Sequence, residues 1–89
     1  MKENTQPIEL HQDQTGEIRD LILHNDEVNT FDFVIDSLVE VCRHDPEQAE
    51  QCAWIAHYKG KCPVKSGEFG TLKPLRGELL DRGLTATIE

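Results

Sequence analysis

The chain has 89 residues and a formal net charge of -8, which is the size of one small, acidic domain. Its 17 acidic residues against 9 basic ones argue against a nucleic-acid-binding protein, because phosphates are bound by lysine and arginine. A mean hydropathy of -0.53, and no apolar run near the roughly 18 residues of a membrane span, predict a soluble protein.

Residues 1–17 are rich in Gln, Asn, Thr, Asp and Glu and contain few apolar side chains. This composition predicts a flexible N-terminal tail followed by a single domain over residues 18–89. The start of the chain also lacks the apolar core of a signal peptide, so we expect a cytoplasmic protein.

The first regular element predicted is a strand over Asp20–His24, with Leu21 and Leu23 on one face and Ile22 on the other. It runs directly into Asn25-Asp26-Glu27. Two acids and an amide in a row fit either the entry to a helix or a set of hydrogen-bond acceptors for a cation.

A helix is predicted next, with Asn29 as its N-cap and Asp32 as the partner in a capping box. We expect it to end near His44. Its apolar residues recur at helical spacing, at Phe31, Val34, Ile35, Leu38, Val41 and Cys42.

The second helix has a clear start, with Asp45 at the cap, Pro46 at the first helical position and Glu47 in the first turn. We expect it to run to about Lys59 and to stop at Gly60 in the left-handed conformation. The short link between the two helices predicts a helical hairpin.

Lys61–Lys65 contains Pro63 and is predicted to be an edge strand. A third helix is predicted from Thr71, with Pro74 in its first turn, and Gly83 ends it. Its predicted buried stripe consists of Leu72, Leu75, Leu79 and Leu80.

The alternation over Leu84–Ile88 predicts a last, half-buried strand. The resulting order is β-α-α-β-α-β. An α+β fold with a three-stranded antiparallel sheet packed against the helices buries the apolar faces of all these elements.

Little in the sequence indicates catalysis. It has no glycine-rich phosphate loop, and no cysteine lies in an evident activating environment. The cysteines and histidines between positions 42 and 62 lack the paired spacing of a zinc site, so the thiols are predicted to be small buried apolar groups. We therefore expect a binding protein rather than an enzyme, with no catalytic residue, no metal and no cofactor.

Three motifs together resemble the ClpS family of Clp protease adaptors. They are LILHNDEVNTFDFVIDSLVEV, the segment Asp45–Ala49 and the segment Ala56–Lys61. The similarity covers residues 18–65 and resumes over Leu84–Glu89. The resemblance implies a ClpS-like fold, akin to the C-terminal domain of ribosomal protein L7/L12. It also implies recognition of the N-terminal residue of substrate proteins, the N-degron, and their delivery to a Clp unfoldase.

The resemblance implies a site for the substrate α-amino group formed by Asn25, Asp26, Glu27 and His57. The chemistry of the residues agrees with it. An α-ammonium carries three N–H donors, and amide oxygens, carboxylates and a neutral imidazole accept such bonds.

By the same resemblance, an apolar pocket for the first side chain is formed by Phe31, Val34, Ala53, Ala56 and Leu84. From spacing alone, Phe31 and Val34 fit ordinary helix core equally well, and Leu84 fits sheet packing. Phe31 and Ala53 stand where the family has methionines, and Ala56 where it has valine. The larger Phe31 at the pocket entrance and the smaller Ala53 and Ala56 on the opposite wall compensate in volume. The preference of the pocket among Leu, Phe, Tyr and Trp as the first substrate residue is therefore left open.

Glu68 and Lys73 match the family's acid and lysine that dock on the unfoldase, although two surface charges explain them as well. The implied partner is a ClpA- or ClpC-like AAA+ unfoldase with its ClpP peptidase, and the implied state is a monomer. The region from Ser66 to Arg82 is shorter than in the bacterial family. The alternative function is an interaction module of the same fold that docks on a partner without reading N-termini.

Overall fold

The computed structural model describes residues 16–89. Six elements follow one another in this range. They are β1 (Arg19–His24), α1 (Phe31–Cys42), α2 (Pro46–Lys59), β2 (Lys61–Gly67), α3 (Phe69–Asp81) and β3 (Ala86–Ile88). The predicted β-α-α-β-α-β order is confirmed. Most of the predicted tail, residues 1–15, lies outside the described residues, so the division into tail and domain stays a prediction.

The sheet has the order β2-β1-β3, and both pairings are antiparallel, as predicted. Leu23 in the central strand faces Cys62 of β2 and Ala86 of β3. Pro63 lies on β2, where the pairing register shifts opposite Leu21 and Ile22. An edge strand accepts proline because one of its sides pairs with no neighbouring strand.

The helices bury the sheet face that carries Leu21 and Leu23, which are 0% and 2% exposed. This arrangement confirms the α+β class with a sheet packed against helices. Residues of β1 and of both hairpin helices belong to one shared core. The core cluster contains Leu21, Leu23, Leu38, Val41, Cys42, Ala49, Cys52, Ala56, Cys62, Val64, Leu72, Leu79, Leu84 and Ala86.

The start of α1 corrects the predicted capping. Thr30 is the N-cap, and its hydroxyl oxygen accepts a hydrogen bond from the Phe33 N–H at 3.1 Å. Asn29 does not cap the helix, because its side-chain amide donates to Asp26 and to the Gly83 carbonyl instead. The predicted capping box between Asn29 and Asp32 is therefore wrong.

The start and end of α2 are as predicted. The Asp45 carboxylate accepts from the Gln48 N–H at 2.9 Å, and Pro46 opens the helix. Gly60 ends it with φ 96° and ψ -26°, and its N–H donates to the Ala56 carbonyl. The Gly60 carbonyl then accepts from the Asn25 N–H at 2.9 Å, which ties the end of α2 to the end of β1.

We expect Gly60→Ala to lower the free energy of unfolding by about 1–2 kcal/mol, because an L-residue is strained at positive φ. No atom lies within 4 Å of an added Cβ there, so the cost lies in the backbone. Gly77, inside α3, also has open space around an added Cβ but no positive φ. Gly77→Ala should raise the same free energy by about 0.5–1 kcal/mol. Urea unfolding of both variants measures these opposite signs, and equal signs would contradict the account.

The third helix begins earlier than predicted, at Phe69 rather than Thr71, because the Glu68 carbonyl already accepts from the Thr71 and Leu72 N–H groups. Pro74 consequently lies in the second turn and not in the first. Leu80 does not join the predicted stripe, since it lies about 100° around the helix from buried Leu79 and is 48% exposed.

The last strand is shorter than the predicted Leu84–Ile88 and covers Ala86–Ile88. Thr85 still reaches β1, because its carbonyl accepts from the His24 N–H at 2.9 Å. Leu84, just before the strand, is buried at 3% exposure. Its side chain therefore packs in the core, although the residue lies outside the paired part of β3.

Candidate functional site

A cavity of about 200 Å³ opens where the end of β1, the first turns of α1 and the second half of α2 meet. The structure brings all nine residues predicted for the α-amino site and the side-chain pocket into its lining, together with four more. The lining consists of Leu23, His24, Asn25, Asp26, Glu27, Asn29, Thr30, Phe31, Val34, Ala53, Ala56, His57 and Leu84. Their roles in binding remain predictions.

The polar rim begins with Asn25, whose backbone is fixed by the N–H bond to the Gly60 carbonyl. Its side-chain amide donates to the Glu27 carboxylate at 3.2 Å, which orients the amide group. Within residues 16–89, the amide oxygen of Asn25 accepts no hydrogen bond. It is therefore an oriented acceptor that remains free at the cavity mouth.

Asp26 organises the loop that leads into α1. One carboxylate oxygen accepts from the Val28 and Asn29 N–H groups at 2.7 and 2.8 Å. The other accepts from the Asn29 side-chain amide at 2.7 Å, and that amide also donates to the Gly83 carbonyl at 3.0 Å. A carboxylate offers about four lone-pair positions, so three are used and the negative charge remains at the rim.

The environment of Asp26 keeps it ionised. Partial burial raises the pKa of its carboxyl group, but the hydrogen bonds from the Asn29 side chain and from the Asn29 and Val28 backbone outweigh burial. The net result is a pKa below the ordinary value of 3.8. At neutral pH the site therefore presents a fixed carboxylate to any cation that enters.

His57 lies on the last turns of α2 with an exposed ring. The ring packs edge-on against Phe31 and Tyr58, with centroid distances of 5.3 and 5.0 Å. Neither ring nitrogen bonds to another group within the described part of the chain. The two ring contacts hold the imidazole in place while leaving a nitrogen available to accept a hydrogen bond.

The deeper walls are apolar and small. Ala53, Ala56 and Leu84 are each 3% exposed, and Val34 closes a further side. A dry cavity of about 150 Å³ is large enough for a benzene ring. The observed volume therefore suits one aromatic or branched aliphatic side chain.

Two aromatic residues that were not predicted from the sequence, Trp54 and Tyr58, lie beside the cavity without lining it. The Trp54 ring lies 4.4 Å from the Phe31 ring and is stacked on Tyr58 at 5.2 Å with an interplanar angle of 9°. We call Phe31, Trp54, His57 and Tyr58 the aromatic strip. The i, i+4 spacing of Trp54 and Tyr58 could have indicated their stacking, but the contact with Phe31 across the hairpin has no local signal.

The two residues predicted to dock on an unfoldase lie outside the cavity. Glu68 is the N-cap of α3, without a side-chain capping bond, and Lys73 is on the same helix. Both side chains are exposed. The structure leaves their predicted role open.

The described residues offer little to other classes of function. All three cysteines are free and buried, as predicted, and burial raises the pKa of Cys42 to about 11 and that of Cys62 well above its ordinary value. Such thiols are poor nucleophiles. Within residues 16–89, no group of three metal-ligating side chains comes together, and no helix is long and apolar enough to cross a membrane.

Comparisons with known proteins agree with this geometry. A family model described as "ATP-dependent Clp protease adaptor protein ClpS" matches residues 17–87. The ATP-dependent Clp protease adapter protein ClpS of Nitratidesulfovibrio vulgaris (strain DSM 19637 / Miyazaki F) is 36% identical over 55 residues. That alignment spans 60% of this chain and only 55% of the relative's length.

A solved structure shares the fold. The structure of Agrobacterium tumefaciens ClpS2 bound to L-phenylalaninamide superposes with a TM-score of 0.80 at 24% sequence identity. The match covers 83% of this chain and 96% of that one. At this identity, the likeness establishes the architecture and not the ligand.

Proposed function

Because the chain belongs to the ClpS family of ATP-dependent Clp protease adaptors, we propose that its cavity binds the first residue of substrate proteins. The α-ammonium lies at the polar rim, and the first side chain fills the space between the apolar walls. The family is one of adaptors and not of enzymes. The observation that carries the proposal is the placement of free acceptors at the mouth of a cavity whose deeper walls are apolar.

At the rim, the Asn25 amide oxygen and a nitrogen of His57 accept two of the three ammonium N–H bonds. Asp26 supplies the negative charge and holds the loop, and Glu27 orients Asn25. L-phenylalaninamide, the ligand of the structurally similar ClpS2, combines a free amine with an apolar side chain and an amide. A ligand of that chemistry matches a rim of acceptors beside an apolar cavity.

Within the cavity, Val34, Ala53, Ala56 and Leu84 contact the first side chain, and Phe31 stands at its entrance. The volume of about 200 Å³ suits leucine, phenylalanine, tyrosine or tryptophan. Burial of one such side chain contributes about 1.5–3 kcal/mol, which corresponds to about 10- to 100-fold in affinity over alanine at that position.

The adaptor role requires a second partner. We assign it to a Clp-family AAA+ unfoldase of the ClpA or ClpC type with its ClpP peptidase, in the cytoplasm, and we take the adaptor to be a monomer. Glu68 and Lys73 are the residues proposed to dock on the unfoldase. Both are exposed and lie away from the cavity, which leaves the bound N-terminus accessible for transfer.

A panel of short peptides that differ only in the first residue tests the proposal, with affinities measured by fluorescence anisotropy. We expect Leu, Phe, Tyr and Trp peptides to bind about 10- to 100-fold more tightly than Ala, Lys or Asp peptides. A protein that binds all of them equally, or none, would instead be an interaction module that does not read N-termini. Asn25→Ala should weaken the four favoured peptides together.

A further inference from the structure

The aromatic strip extends beyond the cavity, over the exposed face of α2. Phe31 and His57 line the cavity, whereas Trp54 and Tyr58 lie outside it. Trp54 is 41% and Tyr58 73% exposed, although the two rings are stacked face to face. Large exposed rings in a fixed arrangement are typical of surfaces that bind a partner.

The surface beside the strip is acidic. Trp54 and Ile55 share a shallow groove with the side chains of Asp45, Glu47 and Glu50. Asp45 is used as the cap of α2. Glu47 and Glu50 form no ion pair with any residue from 16 to 89, so their charges face the groove uncompensated.

Aromatic faces next to free carboxylates favour one kind of ligand, a cation on a long aliphatic stem. A cation over the face of a Trp or Tyr ring is attracted by the ring quadrupole, and the attraction is stronger when water is excluded. Arginine suits both the aromatic rings and the carboxylates, because its planar guanidinium stacks on rings and pairs with carboxylates. The chain shows such a contact elsewhere, where the Arg76 guanidinium lies 5.8 Å from the Phe69 ring centre.

We propose that the aromatic strip and the acidic groove bind a basic side chain, arginine above all, at the second or third residue of the substrate. This inference rests on the proposed function, since the first residue must occupy the cavity. Trp54 and Tyr58 are then specificity-determining residues, and Glu50, one turn before Trp54 on α2, supplies the pairing charge.

The distances limit which substrate residue can reach the strip. The centre of the Trp54 ring is 4.4 Å from that of Phe31 and 5.2 Å from that of Tyr58, so the three ring centres span at most about 10 Å. Successive Cα atoms are about 3.8 Å apart, so the strip covers about two residues of an extended peptide. Side chains from the sixth residue onward lie beyond it.

The experiment uses peptides that begin with phenylalanine and contain a single arginine at the second, third or sixth position. They have the same composition and charge, so long-range attraction to the acidic protein contributes nearly equally to all. We expect arginine at the second or third position to improve affinity by about 3- to 10-fold over the sixth.

Single substitutions separate the contribution of the Trp54 ring from that of the Glu50 charge. Trp54→Leu should reduce this advantage to less than about 2-fold, because it removes the ring and keeps an apolar helix former. Glu50→Gln should reduce it in part. Phe33→Leu, which alters another exposed aromatic residue on α1, is the matched control and should leave the advantage unchanged.

Each outcome is decisive. Equal affinities for the three peptides, or an advantage that survives the combined Trp54→Leu and Glu50→Gln change, would overturn the inference while leaving the proposed function intact. Loss of the advantage in Phe33→Leu would overturn the assignment to the strip. Absence of binding by every peptide would overturn both the inference and the proposed function.

Discussion

Replacing Asp26 with alanine is expected to weaken binding of a peptide that begins with phenylalanine by about 30- to 100-fold. The third ammonium N–H is left for the remaining lone-pair position of the Asp26 carboxylate. A hydrogen bond between two charged groups contributes about 1.5–3 kcal/mol, and each 1.4 kcal/mol is tenfold in affinity. The change removes the rim carboxylate and frees the Val28 and Asn29 groups that it holds. Isothermal titration calorimetry with the folded variant measures the effect.

Two further variants separate the effect of the Asp26 charge from the effect of the hydrogen bonds that hold the loop. Asp26→Asn keeps an acceptor for the backbone N–H groups but lacks the charge, so we expect it to lose most of the affinity and less of the stability. Asp36→Ala removes an equal charge from an exposed position on α1, outside the cavity, and should leave affinity unchanged. Unchanged binding by folded Asp26→Ala would show that the rim carboxylate has no part in recognition.

The contribution of Asp26 to the stability of the fold should also depend on pH. Because the pKa of Asp26 is lowered in the folded chain, its carboxylate stabilises the fold at pH values above the ordinary value of 3.8. This contribution is lost as the pH falls through the lowered pKa. The stability difference between wild type and Asp26→Ala should therefore shrink in acid.

The second large effect concerns which first residue is admitted. Ala53→Met is expected to lower the affinity for a tryptophan peptide, relative to a leucine peptide, by about 10-fold or more. Ala53 lines the cavity and is 3% exposed, so the three added heavy atoms occupy space that the larger substrate needs. Misfit by a single methylene in an apolar pocket already costs about 1–3 kcal/mol.

The ratio of the two affinities is the quantity to measure, since any general change in binding cancels in it. Lys59→Met places the same side chain on an exposed position of α2 outside the cavity and serves as the control. A tryptophan-to-leucine ratio that is the same in wild type and Ala53→Met would place the first side chain somewhere other than this cavity.

Much of the fold could be predicted because its signals are local. Asp45 and Pro46 start α2, and Gly60 stops it, through capping chemistry that depends only on neighbouring residues. In the structure, the Asn25 N–H donates to the Gly60 carbonyl, which brings the end of β1 to the end of α2, where His57 also lies. The sequence marks these element ends well, whereas the meeting of the polar rim residues was implied by the resemblance to the ClpS family.

The errors arise where distant residues compete for the same group. Asn29 is a good N-cap by type, but its amide is engaged by Asp26 and by Gly83, a residue 54 positions away, so Thr30 caps α1. No local pattern contains that contact. Likewise, α3 begins at a backbone carbonyl of Glu68 without a side-chain cap, which leaves no sequence signal for its first turn.

The aromatic strip was missed for a similar reason. Helical spacing predicts which residues share a face, but it does not reveal that Phe31, from the first helix of the hairpin, packs against Trp54 on the second. The contact depends on how α1 crosses α2. It joins the cavity lining to the exposed surface that we propose binds a basic side chain of the substrate.

The central claim is that the rim reads a free α-amino group, and one comparison tests it most directly. A peptide that begins with phenylalanine is compared with the same peptide acetylated at its N-terminus, by titration against the wild-type protein. Acetylation removes the positive charge and two N–H donors, so we predict a loss of about 100-fold or more in affinity. Equal affinities for the free and acetylated peptides would contradict the claim.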